Sequence, residues 1–188
     1  NSNFSGVSLD AAITRGADAI TLHVPLTDAG DDATRHLLDE NRLSKLPGCA
    51  VLNAARGGVL QESAAARLRA DGRLGWLAID TFVHEPKPDP AVIAAADLVS
   101  PHIAGHSIEG KLRVAGWPIA KLRAALGLRP NVDVSAEITR RRTTPPSDRR
   151  LHPTPQAALD AACSALKAQP DQFKRHRAAH FRVEFQSE

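Results

Sequence analysis

Apolar and polar positions along the chain alternate between two periods. "SLDAAITRGA" has helical spacing behind Ser8, a side chain suited to capping a helix start. "DAITLHVPL" then runs apolar and β-branched until Pro25, which predicts a buried strand. "DDATRHLLDENRLSKLPG" returns to helical spacing and ends at Pro47-Gly48, and "CAVLNAARGG" is a second apolar run closed by a glycine pair. Beyond it a helix is predicted for "LQESAAARLRADGRL" and strands for "GWLAIDTF" and "DLVSPHIAG". A long helix is predicted for "SIEGKLRVAGWPIAKLRAALG", with Gly116 and Pro118 expected to kink or split it. Repeated strand–helix alternation with nearly continuous apolar strands predicts an α/β fold: a parallel sheet covered on both faces.

The pattern fades near Leu128. "RPNVDVSAEITRRRTTPPSDRR" is rich in Pro, Arg, Ser and Thr and has little apolar periodicity. Residues 1–127 therefore read as one domain, 128–150 as a linker or surface arm, and 151–188 as a C-terminal segment. That segment offers one helix, "TPQAALDAACSALKAQ", and a basic stretch, "FKRHRAAHFRVEF". Roughly forty residues bury too little to stand alone, so the segment is expected to pack on its own chain or on a partner subunit.

Composition narrows the class. Of 188 residues, 43% are hydrophobic but only 4% aromatic, with no Tyr, so the core is expected to be aliphatic. The net charge of +3 is modest, and the arginines crowd the last third. Basic runs such as "TRRRTTPPSDRR" lack the aromatic platform that nucleic-acid binding uses, and a nucleic-acid partner is not expected. No apolar run approaches the roughly 18 to 20 residues of a membrane span, so no membrane partner is expected either. Cys49 and Cys163 stand far apart and form no metal or redox motif. Buried free thiols in the cytoplasm, and no metal site, are the expectation.

In an open parallel sheet, ligands bind beyond the carboxyl ends of the strands. Arg56 follows the strand "AVLNAA", Glu85 follows "LAIDTF", and His102 follows "DLVSP". A guanidinium there can grip a carboxylate through two parallel hydrogen bonds and polarise a neighbouring carbonyl. An imidazole can take a hydroxyl proton, and a nearby carboxylate can orient it and favour its protonated form. Together the three suit chemistry on a 2-hydroxy acid. Each also has a plainer reading: Arg56 as a solvated loop residue, Glu85 as a turn cap, His102 as a satisfied strand-end histidine. Their order at successive strand ends favours the chemical one.

With "ADAITLHVPLT", "LNAARGGVL", "AIDTFVHEP" and "SPHIAGHS", the chain resembles the D-isomer-specific 2-hydroxyacid dehydrogenases over Ala17 to about Ser107. The resemblance implies a Rossmann-like cofactor domain, NAD as cofactor, and a catalytic set of Arg56 (carboxylate binder), Glu85 (partner of the histidine) and His102 (acid/base). It places His23, Pro25, Leu26, Thr27, Ala54, Ala55, Arg56, Asp80, His102 and Gly105 beside the cofactor, Asp80 near its carboxamide. Arg56 and His106 are the implied substrate contacts. "PHIAGHSIEGKLR" and "FKRHRAAHFRVEF" are most similar to a subgroup that acts on a phosphorylated 2-hydroxy acid and forms homodimers through a C-terminal α+β segment. Regulatory relatives that use dinucleotide binding as a sensor are the alternative.

The family binds the pyrophosphate with a glycine fingerprint after its first strand and the ribose with an acid after its second. Neither occurs here. The expectation is a C-terminal portion of such an enzyme, its cofactor domain incomplete at the N-terminus and inactive alone.

Overall fold

A computed structural model describes residues 6–105, 108–128, 136, 151–152, 155–180 and 184–185. Four strands, β1 (Ala19–Leu22), β2 (Ala50–Asn53), β3 (Trp76–Ile79) and β4 (Leu98–Val99), form one parallel sheet in the order β1-β2-β3-β4. The helices between them are α2 (Glu40–Leu43), α3 (Glu62–Ala70) and α4 (Pro90–Ala95), with α1 (Leu9–Thr14) ahead of β1. Sequential strands lie side by side, so their carboxyl ends, and the polar residues that follow, form one row. The α/β class and the parallel sheet are as the periodicity predicts.

Burial explains the strand spellings. Val51, Leu77, Ile79 and Val99 are at most 1% exposed, packed with Leu38, Leu43, Leu46 and Ile93 in an aliphatic core. Ser8 caps α1 as expected, its Oγ accepting the Ala11 N–H at 3.2 Å. Asp97 couples two layers: its carboxylate accepts from Arg69 on α3 at 2.6 and 2.7 Å and from the Leu77 N–H at 2.8 Å. The Arg69 guanidinium holds the Asp97 carboxyl below the usual range.

Three elements differ from the sequence reading. "DDATRHLLDENRLSKLPG" is helical only at Glu40–Leu43. The stretch before it is pulled into a loop because Thr34 Oγ1 accepts from the Thr27 N–H at 2.8 Å while the His36 and Leu38 N–H groups reach the Gly58 and Val59 carbonyls. These long-range bonds displace the i→i−4 ladder that the periodicity suggests. Helix α5 (Ile108–Ala125) runs unsplit through Gly116 and Pro118. Helix α4 lies where the sequence pattern assigns no element, started by Asp89, which accepts the Ala91 N–H at 2.8 Å, and by Pro90.

The C-terminal segment contains α6 (Pro155–Ala168), a short 3₁₀ turn (Pro170–Gln172) and α7 (Phe173–His180). Strands β5 (Leu151–His152) and β6 (Glu184–Phe185) pair in parallel beside them. Helix α6 covers the outer edge of β4. Cys163 Sγ receives the Val99 N–H at 3.4 Å, and Lys167 Nζ donates to the Ala96 carbonyl at 2.6 Å. Ala162, Leu166 and Phe173 are at most 1% exposed. Both cysteines are buried free thiols.

Candidate active site

The turn after β2 is built by one side chain. Asn53 is fully buried; its Oδ1 accepts the Ala55 N–H at 3.1 Å and its Nδ2 donates to the Arg56 carbonyl at 3.1 Å. A polar residue is affordable in that core only because both ends of the amide are satisfied. The turn presents Arg56 to solvent, its guanidinium donating to the Ala55 carbonyl at 2.7 Å. Among the described residues, no carboxylate pairs with Arg56. Gly57 then passes against the end of β3: a Cβ there would sit 2.1 Å from the Phe82 carbonyl oxygen. Only glycine allows that approach.

After β3, Asp80 is buried and accepts three hydrogen bonds: from Ser100 Oγ at 2.5 Å, the Ile103 N–H at 2.8 Å and the Ala104 N–H at 3.1 Å. Its main-chain carbonyl takes the His102 N–H at 2.8 Å. Asp80 thus organises the backbone that follows β4. This is a larger part than the carboxamide contact implied by resemblance, and Oδ2 keeps acceptor capacity beyond the Ala104 bond. The binding of His102 N–H to both the Asp80 and Ser100 carbonyls holds His102 at φ +56°, a left-handed conformation that non-glycine residues seldom adopt.

That strained backbone aims the imidazole at Glu85. His102 Nδ1 lies 2.9 Å from Glu85 Oε2 and 3.1 Å from Oε1, with both side chains about a quarter exposed. Glu85 Oε1 also accepts the Phe82 N–H at 2.9 Å, so the carboxylate is locked to its own loop. The pair can hold the imidazole in one orientation and one tautomer.

Beyond β1, His23 and Pro25 are exposed, and Leu26 and Thr27 half-buried. Thr27 is stitched into its loop, its Oγ1 donating to the Asp32 carbonyl at 3.1 Å and accepting the Thr34 N–H at 3.1 Å. Ala54 is half-buried, Ala55 buried and Gly105 exposed, all at the same sheet edge. His106 lies outside the described residues.

One buried ionisable group escaped the sequence reading. Glu62, the first residue of α3, is 7% exposed and accepts the Val83 N–H at 2.9 Å. Burial, with Glu85 and Asp89 nearby, pushes its carboxyl up to about 7. A glutamate opening a helix usually signals only favourable charge at the N-terminus, so nothing local marked it as buried.

A row of polar groups at the carboxyl edge of a parallel sheet, with an imidazole–carboxylate pair and an exposed guanidinium, is the edge at which open α/β sheets bind ligands. Residues 1–104 match the model of the D-isomer specific 2-hydroxyacid dehydrogenase, NAD binding domain, and the chain belongs to that family. The cofactor of this domain is NAD. Over 122 residues the chain is 42% identical to erythronate-4-phosphate dehydrogenase of Salinibacter ruber, covering 64% of this chain and 31% of that one. Over 108 residues it is 46% identical to the enzyme of that name from Pseudomonas aeruginosa, covering 57% and 28%. The chain thus spans about 30% of the length of the curated relatives it matches. A crystal structure of a protein from Pyrococcus horikoshii OT3 superimposes with a TM-score of 0.51 at 27% identity, over 66% of this chain and 37% of that one.

Proposed function

We propose that this chain supplies the catalytic edge of an NAD-dependent dehydrogenase that oxidises 4-phospho-D-erythronate to 2-oxo-3-hydroxy-4-phosphobutanoate. This reaction would place it in pyridoxal phosphate synthesis. The observation that carries the chemistry is the His102–Glu85 pair, 2.9 Å apart at the end of adjoining strands. The substrate is supported by the names of the relatives at 42% and 46% identity.

The residues divide the work in a definite way. With Nδ1 engaged by Glu85, exchange with the C2 hydroxyl falls to His102 Nε2, which takes that proton. Glu85 stabilises the imidazolium that results. Arg56, at the end of β2, grips the C1 carboxylate and draws electron density from C2–O. Bound NAD⁺ supplies the hydride acceptor for C2. The sheet edge suits its nicotinamide half: exposed His23 and Pro25, half-buried Leu26, Thr27 and Ala54, the Ala55–Arg56 turn, exposed Gly105, and Asp80 Oδ2. His106, just past Gly105, is assigned to the substrate on its place in the sequence alone.

At the level of the whole chain, residues 1–127 are assigned to the cofactor domain, 128–150 to a linker and 151–188 to a homodimerising segment. Among the described residues no helix is long and apolar enough to cross a membrane. With two buried free thiols, the proposed location is the cytoplasm.

The test uses the full-length protein with NAD⁺ and 4-phosphoerythronate, following NADH by absorbance. Turnover with this substrate and little with unphosphorylated hydroxy acids is expected. Equal or better rates on an unphosphorylated acid would move the protein elsewhere in the family, and no turnover on any 2-hydroxy acid would end the catalytic reading. Sedimentation of the same sample should give a dimer; a monomer removes the assignment of 151–188.

A further inference from the structure

The C-terminal segment reaches the catalytic loop through Phe173. Helix α6 is fastened along β4 by Cys163 and Lys167, and the chain then turns so that Phe173 enters the core at 1% exposure. Its ring meets the Phe82 ring edge-on, with centroids 6.0 Å apart and planes at 88°. That is the arrangement in which the positive edge of one ring faces the negative face of another.

Phe82 is a junction in the site. Its N–H donates to Glu85 Oε1 at 2.9 Å, and that same oxygen is 3.1 Å from His102 Nδ1. Its carbonyl is pressed against Gly57, next to Arg56. The following N–H, of Val83, goes to Glu62. The backbone of this loop is therefore held by α3 and by the β2 turn, whereas the Phe82 ring is braced by the C-terminal segment. A space left beside the Phe82 ring would instead let the loop sink toward it, shifting the Phe82 N–H and loosening the carboxylate that orients His102.

We propose that Phe173 is a positioning residue of the active site, bracing Phe82 so that Glu85 keeps its grip on His102. This rests on the dehydrogenase reading above and adds to it that residues beyond the cofactor domain set the catalytic geometry in the same chain. Phe173 touches no substrate; it acts through Phe82 and Glu85.

The experiment compares Phe173→Leu and Phe82→Leu, singly and together, in the full-length protein. Leucine keeps the sites apolar but removes the edge-to-face contact. Phe82→Leu breaks that contact from the other side, so the test survives if one variant does not fold. Two readings are taken: kcat and KM, and the proton NMR signal of the His102 Nδ1–H, assigned by its loss in His102→Gln. Each single variant should lower kcat about 10-fold with KM for NAD⁺ changed less than about 2-fold, the scale of a modest misplacement. The double variant should be no worse than the poorer single one, because both remove one contact. The Nδ1–H signal should broaden or shift in all three. A lowered melting temperature with kcat and the Nδ1–H signal unchanged would make Phe173 a core filler and overturn the proposal, as would multiplicative losses in the double variant. If the wild type turns over no hydroxy acid, the dehydrogenase reading falls, yet the Nδ1–H signal still decides whether Phe173 positions His102.

Discussion

Two ionisable groups near the catalytic loop face opposite demands. In the proposed reaction His102 exchanges a proton with the substrate hydroxyl, and a side chain one quarter exposed at a φ of +56° holds the ring at the sheet edge. Replacing it with Ala in the full-length protein should cut kcat by about 10² to 10⁴, the usual loss on removing a general acid–base group. Near-normal turnover would take the proton-transfer role away from it. Glu62 has the reverse setting: it is buried, and its carboxyl stands at about 7 against an ordinary 4.5. The folded protein therefore binds this proton more tightly than the unfolded chain does. Stability from this group is complete below the ordinary value and falls as pH rises toward about 7, by something of order 3 kcal/mol at most, then levels off. Glu62→Gln removes the charge and keeps an oxygen for the Val83 N–H. Urea unfolding at about pH 5 and pH 8 should show a smaller decline for the variant than for the wild type. Equal declines would mean that Glu62 does not carry the effect.

Among the elements, the turn after β2 and the loop after β3 depend on one another. Asn53 shapes the first, Glu85 and Glu62 hold the second, and Gly57 lets them touch. Gly57→Ala places a methyl 2.1 Å from the Phe82 oxygen, so one backbone must retreat. We expect a loss of about 2 to 3 kcal/mol in stability and a kcat reduced beyond what that loss explains, because Arg56 and Glu85 ride on the two moving parts. Denaturant titration and kinetics on one preparation check it, and a variant with unchanged kcat would uncouple the two. The strand ends were legible in the sequence because a buried parallel strand must be apolar along its length, so the first polar residue after it marks the edge. The 31–38 loop was not legible. Its apolar residues keep helical spacing, and only bonds to Thr27, Gly58 and Val59 divert them. Helix α4 was not legible although Asp89-Pro90 is a start signal, because the three prolines of "HEPKPDP" make the approach to it look like a turn.

Across the whole molecule, the C-terminal segment belongs to the core of the sheet domain. Leu166 is fully buried beside Cys163, and Phe173 joins the same cluster. Leu166→Ala should therefore cost about 2 to 5 kcal/mol in one cooperative unfolding transition shared with the sheet. A separate early transition for the segment would show that it folds apart from the rest. The surface of α5 differs in kind, with Val114, Trp117, Ile119 and Leu122, and Leu126 just past its end, all more than half exposed.

The four-strand parallel α/β pattern, the aliphatic core and the row of Arg56, Glu85 and His102 at successive strand ends were determined by the sequence alone, since each rests on spacing between near neighbours. The grip of Glu85 on His102, the burial of Glu62, the Gly57–Phe82 approach and the Phe173 brace were decided only by the tertiary structure. All four depend on residues far apart in the chain meeting at contact distance. Local periodicity says which face of an element is buried; it does not say which distant side chain will lie against it.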